Sequence, residues 1–147
     1  MADYNICYLT VEQVQDFFGI IKDTWDEVDQ RKGLYELNPD FGKYMDFEAS
    51  DYHSFLGCFD GETLVGYFSF FVTEMLHCKG EKILMGDVIY CNPNYRGTGV
   101  LDLLLQEAED AAKEEGVKFS SINLKCGDNC LERLGYTPQE VVYQKRL

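Results

Sequence analysis

The segment from residue 83 to residue 116 places the strongest constraint on the fold of this chain. It reads ILMGDVIYCNPNYRGTGVLDLLLQEAEDAAKEEG. An apolar run stops at Asn92–Pro93, and a loop with two glycines leads into residues whose apolar positions recur at helical spacing. Gly116 stands where such a helix would end. The pattern predicts a strand, a tight loop and a long amphipathic helix over about residues 99–115.

The first half of the chain predicts a strand, two helices and a hairpin. After a strand at residues 5–9, Thr10 and Gln13 form a capping box that opens a helix reaching to about residue 29 or 31. Asn38–Pro39 precedes a short second helix, and Asp60–Gly61 separates two β-rich runs, as in a hairpin.

The end of the chain predicts a strand within residues 119–126, a short helix within 128–135 and a final strand at 140–147. We therefore expect one domain over residues 1–147, with an α/β (α+β) fold. Its central sheet should be mixed but mainly antiparallel, and helices should flank it.

Charge and composition disfavour several functional classes. The chain carries 26 acidic residues and 13 lysines and arginines, and this net charge of −13 opposes binding to nucleic acid or anionic lipid. It has no long apolar run and no signal-peptide pattern, so we expect a cytoplasmic protein with neither a nucleic-acid nor a membrane partner. A zinc site from Cys126, Cys130 and His77–Cys78 would have no recognised ligand spacing, so no metal is expected.

The glycine loop has the chemistry of an anion site. Glycines just before a helix let an anion approach backbone N–H groups at the positive end of the helix dipole, and Arg96 adds further donors. No lysine follows the glycines, which excludes a mononucleotide P-loop, and Asp102 stands where a dinucleotide fingerprint needs its third glycine.

From Asp87 to Leu147 the sequence resembles the GNAT superfamily of acetyl-CoA-dependent N-acyltransferases. That family has a strand, a V-x-P-x-Y stretch and Arg/Gln-x-x-Gly-x-Gly/Ala at the start of a long helix. Its later block, roughly FYEKLGF before a last strand, is similar to CLERLGYTPQEVVYQKRL here. The order of predicted elements also matches the GNAT fold.

The resemblance implies acetyl-CoA as the acyl donor, bound mainly through the backbone. The N–H groups implied to hold its diphosphate are those of Arg96, Gly97, Thr98, Gly99 and Val100. Those implied to hydrogen-bond the pantetheine belong to Ile89, Tyr90 and Cys91, and Asn129 would reach the thiol end.

Two positions depart from the family pattern. Leu101 replaces the usual last Gly or Ala of the loop motif, where it could crowd the diphosphate. Leu131 replaces a tyrosine that many members place in the later block to protonate the leaving thiolate. Cys130 could take over that role, or be a buried inert thiol.

Direct transfer to an amine needs a base, because an ammonium must first lose a proton. Asp87, a lone acid in an apolar strand, is the first candidate, and Glu74 in FVTEML is the second. Their alternative roles are structural: Asp87 could cap a bulge or pair with a cation, and Glu74 could end a strand in solvent. His53 and His77 are expected at the surface or as satisfied histidines.

The leading hypothesis is therefore an N-acetyltransferase that acts on a small cationic amine or a protein amine. The resemblance implies that the acceptor contacts about residues 25–52, whose acids are either a cation site or a solvated surface: Asp26, Glu27, Asp29, Glu36, Asp40, Asp46, Glu48 and Asp51. The alternatives are a GNAT-fold interaction or structural protein with eroded motifs, loosely resembling small phage-encoded relatives, and an acidic nucleic-acid mimic. A homodimer is an open option.

Overall fold

The computed structural model describes residues 3–28, 33–124 and 130–147. Five strands form one sheet in the order β1-β2-β3-β4-β5, antiparallel except for the parallel pair β4 and β5. The strands are β1 (Asn5–Leu9), β2 (His53–Asp60), β3 (Thr63–Glu74), β4 (Lys82–Cys91) and β5 (Ser120–Ser121). The helices are α1 (Val11–Gln15), α2 (Phe18–Val28), α3 (Phe41–Ala49) and α4 (Val100–Glu114).

This architecture confirms the predicted fold class, a mixed and mainly antiparallel sheet flanked by helices. Two hydrophobic clusters lie on its opposite faces. The larger one packs α4 on β2, β3 and β4 through buried residues such as Leu56, Phe68 and Leu104. The smaller one packs α1 and α2 on the other face, around Val11 and Phe55. None of the helices in the described ranges is long and apolar enough to span a membrane.

The first predicted helix is two helices. The capping box is present, since the Thr10 hydroxyl accepts from Gln13 N–H at 3.1 Å and the Gln13 side chain accepts from Thr10 N–H at 2.9 Å. Phe17 N–H then bonds to the Val14 carbonyl at 3.0 Å, an i to i−3 bond that interrupts the α-helix. Hydrophobic periodicity does not register such a change in hydrogen bonding. The predicted end, at residue 29 or 31, lies outside the described residues.

The prediction of a final strand at 140–147 is wrong. These residues have no regular structure, and Val141, Val142 and Tyr143 are exposed. Their β-branched and aromatic side chains favour a strand locally, but a strand exists only when its backbone finds a partner. β5 is also only two residues long, and the short helix is a 3-10 turn at Glu132–Leu134.

Gly66 in β3 tests the contact between the sheet and the start of α4. A Cβ there would lie 2.6 Å from Val100 Cγ1 and 2.9 Å from the Tyr90 carbonyl oxygen, which is backbone and cannot move aside easily. We expect Gly66→Ala to lower the free energy of unfolding by about 1–3 kcal/mol. The control is Gly19→Ala in α2, where a Cβ would meet nothing within 4 Å, and which should raise stability by up to about 1 kcal/mol. Urea unfolding of both variants measures the difference; equal effects would contradict it.

Candidate active site

The glycine loop runs from the end of β4 to the start of α4 and is braced from one side. Tyr4 donates its hydroxyl to Thr98 Oγ1 at 2.9 Å, and Thr98 donates its own to the Tyr95 carbonyl at 2.6 Å. Tyr95 in turn donates to Asp60 at 3.2 Å. Sequence patterns do not reveal these contacts, because Tyr4 is 94 residues from Thr98.

The other side of the loop is open. Gly97 and Gly99 have φ angles of 78° and 96°, which favour glycine, and a Cβ on either would meet nothing within 4 Å. No described residue accepts a hydrogen bond from the N–H groups of Gly97, Gly99 or Val100. Leu101 packs against the main hydrophobic cluster. The loop therefore fits a diphosphate, which needs free N–H groups and close approach to the backbone.

The Arg96 side chain is committed elsewhere, unlike the sequence-based expectation of a phosphate ligand. Its Nε donates to the Cys91 carbonyl at 3.1 Å, and its Nη2 pairs with Glu27 of α2. The guanidinium lies 5.9 Å from the centre of the Tyr90 ring. The donors without a partner among the described residues of this loop are therefore backbone N–H groups, which lie at the positive end of the α4 dipole.

The first turn of α4 carries an acidic residue, Asp102, whose negative charge is balanced by an ion pair. Arg133 makes two hydrogen bonds to Asp102, at 2.7 and 2.5 Å, and they lower the pKa of that carboxyl. This pair ties the later motif block to the motif helix. It also offsets a negative charge close to the loop, where an anion would otherwise be repelled.

Beside the loop, the end of β4 is paired on one edge only among the described residues. β5 pairs with Leu84 and Met85, and from Gly86 to Cys91 the ladder partners in the described ranges all lie in β3. The Asn92 N–H bonds to the Val65 carbonyl of β3 at 2.8 Å. Alternation along the strand then points the backbone of Ile89 to the open edge and that of Tyr90 to β3. The Cys91 carbonyl already accepts from Arg96.

Asp87 is the extra residue of a β-bulge in β4. Ser69 pairs with Val88 and Phe70 with Gly86, so Asp87 has no direct partner in β3. A bulge of this kind re-aims a side chain and is common beside active sites. Ser69 donates its hydroxyl to Asp87 Oδ2 at 2.8 Å, and Tyr44 of α3 donates to the same atom at 3.1 Å. The carboxylate is nevertheless exposed, so a substrate can reach it.

Behind Ser69 lies His53, which is 3% exposed and therefore not at the surface. Its Nε2 is 2.7 Å from Ser69 Oγ, and its Nδ1 is buried without a partner among the described residues. Burial lowers the pKa of His53 to about 4, so the ring is neutral at pH near 7. Burial and Asp87 raise the pKa of Tyr44, which therefore stays a donor.

Sequence reasoning missed Ser69 and Tyr44. Ser69 was detectable as the one serine in the apolar run VGYFSFFV, whereas Tyr44 lies 43 residues from Asp87 and gave no signal.

The remaining candidates lie elsewhere. Glu74 lies opposite Lys82 in the ladder between β3 and β4, at the far end of β4. At about 3.3 Å per residue, Lys82 is roughly 16 Å along the strand from Asp87. Leu131 is buried in the core and cannot donate a proton, while Cys130 is partly buried against it. Asn129 lies outside the described residues. Among the residues that are described, no three His, Cys, Asp or Glu side chains form a metal site.

Several of the acids between residues 25 and 52 have structural partners. Asp40 caps α3, Glu48 accepts from the Val11 N–H at 2.9 Å and Asp26 pairs with Lys22. Glu27 pairs with Arg96. Four of the eight acids therefore have structural partners, and Asp29 lies outside the described residues. Asp87 is an exposed carboxylate that the fold brings beside the open edge of β4.

A family model described as Acetyltransferase (GNAT) family matches residues 14–136. No curated protein sequence matches the chain. Solved structures do, with identities low enough that they establish the fold alone.

One similar structure is the aminoglycoside acetyltransferase meta-AAC0020 from an uncultured soil metagenomic sample, in complex with sisomicin. It is 13% identical, with a TM-score of 0.76 over 98% of this chain and 96% of that one. Ribosomal-protein-alanine N-acetyltransferase from Brucella melitensis biovar Abortus 2308 is 17% identical, with a TM-score of 0.75 over 98% and 99%. AAC(6')-Iy in complex with the bisubstrate analog CoA-S-monomethyl-acetylneamine is 13% identical, with a TM-score of 0.69 over 99% of both chains.

The buried His53 predicts an acid-sensitive fold. Its pKa falls from 6.5 to about 4 on folding, so between these values the unfolded chain binds a proton that the folded chain does not. The free energy of unfolding should therefore fall as the pH drops through this range. In His53→Phe, which suits the aromatic surroundings, the loss between about pH 7 and about pH 5 should be smaller. Urea unfolding at both pH values measures it. The control His77→Gln removes an exposed histidine, and the same loss in His53→Phe and wild type would contradict the prediction.

Proposed function

Because the chain belongs to the GNAT family of acetyltransferases and is an acyltransferase, we propose that it moves an acetyl group directly from acetyl-CoA to a primary amine. The observation that carries this proposal is the position of Asp87. An exposed carboxylate lies on the half-open stretch of β4, and a loop with free N–H groups follows at the end of the same strand.

The loop and the strand edge would hold the acyl donor. The N–H groups of Gly97, Gly99 and Val100 would bind the diphosphate, with those of Arg96 and Thr98 weakly engaged within the loop at 3.4 Å. The backbone N–H and C=O groups of Ile89, which face the open edge of β4, would form hydrogen bonds with the peptide-like amides of the pantetheine. Acetyl-CoA then supplies the acetyl group: a C–N bond forms, the C–S bond breaks, and sulfur leaves with the bonding pair.

Asp87 would act as the base. An ammonium with a pKa near 10.4 has little free amine at neutral pH, so it must give one proton to the carboxylate before its nitrogen can attack. The nitrogen would lose its second proton as the amide forms, and that proton would end on the thiolate or on water. Leu131 has no proton to supply to the sulfur. A thiolate is stable enough to leave unprotonated.

A cationic acceptor is the substrate class that the site supports. Asp87 would attract an ammonium, and the hydroxyls of Tyr44 and Tyr67 line the same face of the sheet. Burial raises the pKa of Tyr67 to about 12, so it remains a neutral donor. The net charge of −13 favours cations at longer range. Two proteins of similar fold are named as an aminoglycoside acetyltransferase and a ribosomal-protein-alanine N-acetyltransferase, which supports an amine acceptor. Whether the acceptor is a small amine or a protein amine is an outcome to test.

Acetyl-CoA should stabilise the protein through the glycine loop. At about 100 times its dissociation constant, a ligand raises the free energy of unfolding by about 2.7 kcal/mol. We expect this shift in wild type and its loss in Gly99→Ala, because a Cβ would obstruct the diphosphate. The matched control is Gly80→Ala, since Gly80 also has a positive φ, of 83°, and open surroundings, but lies in the turn before β4. Thermal unfolding with and without acetyl-CoA measures both, and the absence of a shift in wild type would contradict the proposal.

Asp87→Asn separates catalysis from donor binding. The amide keeps the size of the side chain but cannot take a proton, so kcat should fall by about 10²–10⁴-fold. The thermal shift with acetyl-CoA should persist. Release of free thiol with a panel of polyamines, aminosugars and lysine peptides measures the rate. An unchanged rate would remove Asp87 from the mechanism.

The buried Leu131 favours one second candidate, a GNAT-fold binding protein without catalysis. The same two experiments distinguish this candidate from an enzyme: acetyl-CoA would stabilise the chain, yet no amine would release free thiol.

A further inference from the structure

The hydrogen bonds behind Asp87 have one consistent direction. A carboxylate can only accept, so the single proton of the Ser69 hydroxyl points to Asp87 Oδ2, at 2.8 Å. Ser69 Oγ can then only accept from His53, whose Nε2 lies 2.7 Å away. This assigns the proton of the neutral imidazole to Nε2 and leaves Nδ1 as a bare acceptor.

The buried Nδ1 supports this assignment. It has no partner among the described residues, and an unpaired buried N–H is rarer than an under-satisfied acceptor. The opposite tautomer would bury such an N–H and turn the Ser69 proton away from Asp87. One arrangement of protons therefore satisfies the whole chain of groups.

Packing holds the imidazole in place. Its ring centre lies 4.9 Å from that of Tyr44, 4.6 Å from that of Phe55 and 4.6 Å from that of Phe71. All three are edge-to-face contacts, which are favourable for aromatic rings. Tyr44 thus contacts the histidine with its ring and Asp87 with its hydroxyl.

We propose that His53 is a positioning residue that acts through Ser69 on Asp87. Together with Tyr44, the Ser69 hydroxyl holds Oδ2, so that Oδ1 is the oxygen left to receive the ammonium proton. The inference rests on the proposed function, in which Asp87 is the base. It explains a buried histidine that the reaction itself does not use, and a polar serine in the middle of a core strand.

Nitrogen NMR of the labelled full-length chain tests the assignment without any substrate. We expect His53 to show a protonated Nε2 and a bare Nδ1 at neutral pH in wild type. A protonated Nδ1 would overturn the proposal. Crystal structures of wild type and Ser69→Ala should show the Asp87 carboxylate in different orientations, and an unmoved carboxylate would also overturn it.

Kinetic measurements test whether the hydrogen bonds from His53 through Ser69 to Asp87 affect catalysis. Ser69→Ala and His53→Phe should each lower kcat by about 10- to 100-fold, because a displacement of about 1 Å can cost about 10² in rate. The KM for acetyl-CoA should stay the same. Ser69→Thr and His53→Gln each keep a donor and should recover part of the rate. The control Ser54→Ala removes a hydroxyl from β2 on the opposite face and should leave kcat unchanged.

A double-mutant cycle distinguishes this inference from the proposed function. If Ser69 acts through Asp87, Ser69→Ala should lower kcat in wild type but not in the Asp87→Asn background. Equal losses in both backgrounds would overturn the inference and leave Asp87 as the base. A full rate in Asp87→Asn alone would overturn the base assignment and the inference with it. If wild type transfers no acetyl group, the proposed function fails, while the tautomer and the carboxylate orientation still decide whether His53 positions Asp87.

Discussion

The separation of β5 from β4 after Met85 is the constraint on which the site depends. A strand interior paired on both edges would have no backbone group available for a ligand, since each N–H and C=O would already be bonded. Apart from the bulge at Asp87, β4 is paired with β3 from Lys82 to Cys91, and in the described part of the chain it pairs with β5 at two residues. Its last residues therefore combine a fixed position with free hydrogen-bonding groups. The glycine loop continues from this half-paired end, so both features come from one strand.

The two faces of the sheet position different parts of the site. On one face α4 is packed onto the largest hydrophobic cluster, which fixes the direction of its dipole and the position of the open loop. On the other face α2 and α3 bring Glu27 to Arg96 and Tyr44 to Asp87. The bulge at Asp87 links the buried interior of the sheet to the site at the surface. It places an acid of a core strand at the surface, while its oxygen stays bonded to Ser69 inside.

Prediction from sequence succeeded where structure is local. The capping box at Thr10, the turn after Asp60 and the helix after Gly99 follow from neighbouring residues, and all three are present. It failed where a segment needed a distant partner, as in the tail at 140–147, whose strand-forming side chains stay exposed. In the site, Asp87 is recognisable from sequence as a lone acid among apolar residues, and its catalytic role stays a prediction. The sequence does not reveal that the Arg96 side chain pairs with Glu27, 69 residues away.

The sequence by itself determined the glycine loop, the amphipathic helix after it and the acidic balance of the chain. Backbone preferences and hydrophobic periodicity act between near neighbours, and charge depends on composition alone. Only the tertiary structure decided which groups meet at Asp87. Ser69 is 18 residues from it and Tyr44 is 43, and their hydroxyls reach one oxygen because a bulge and the packing of α3 place them there. Hydrogen-bond partners of this kind depend on distances in space, which a linear pattern does not contain.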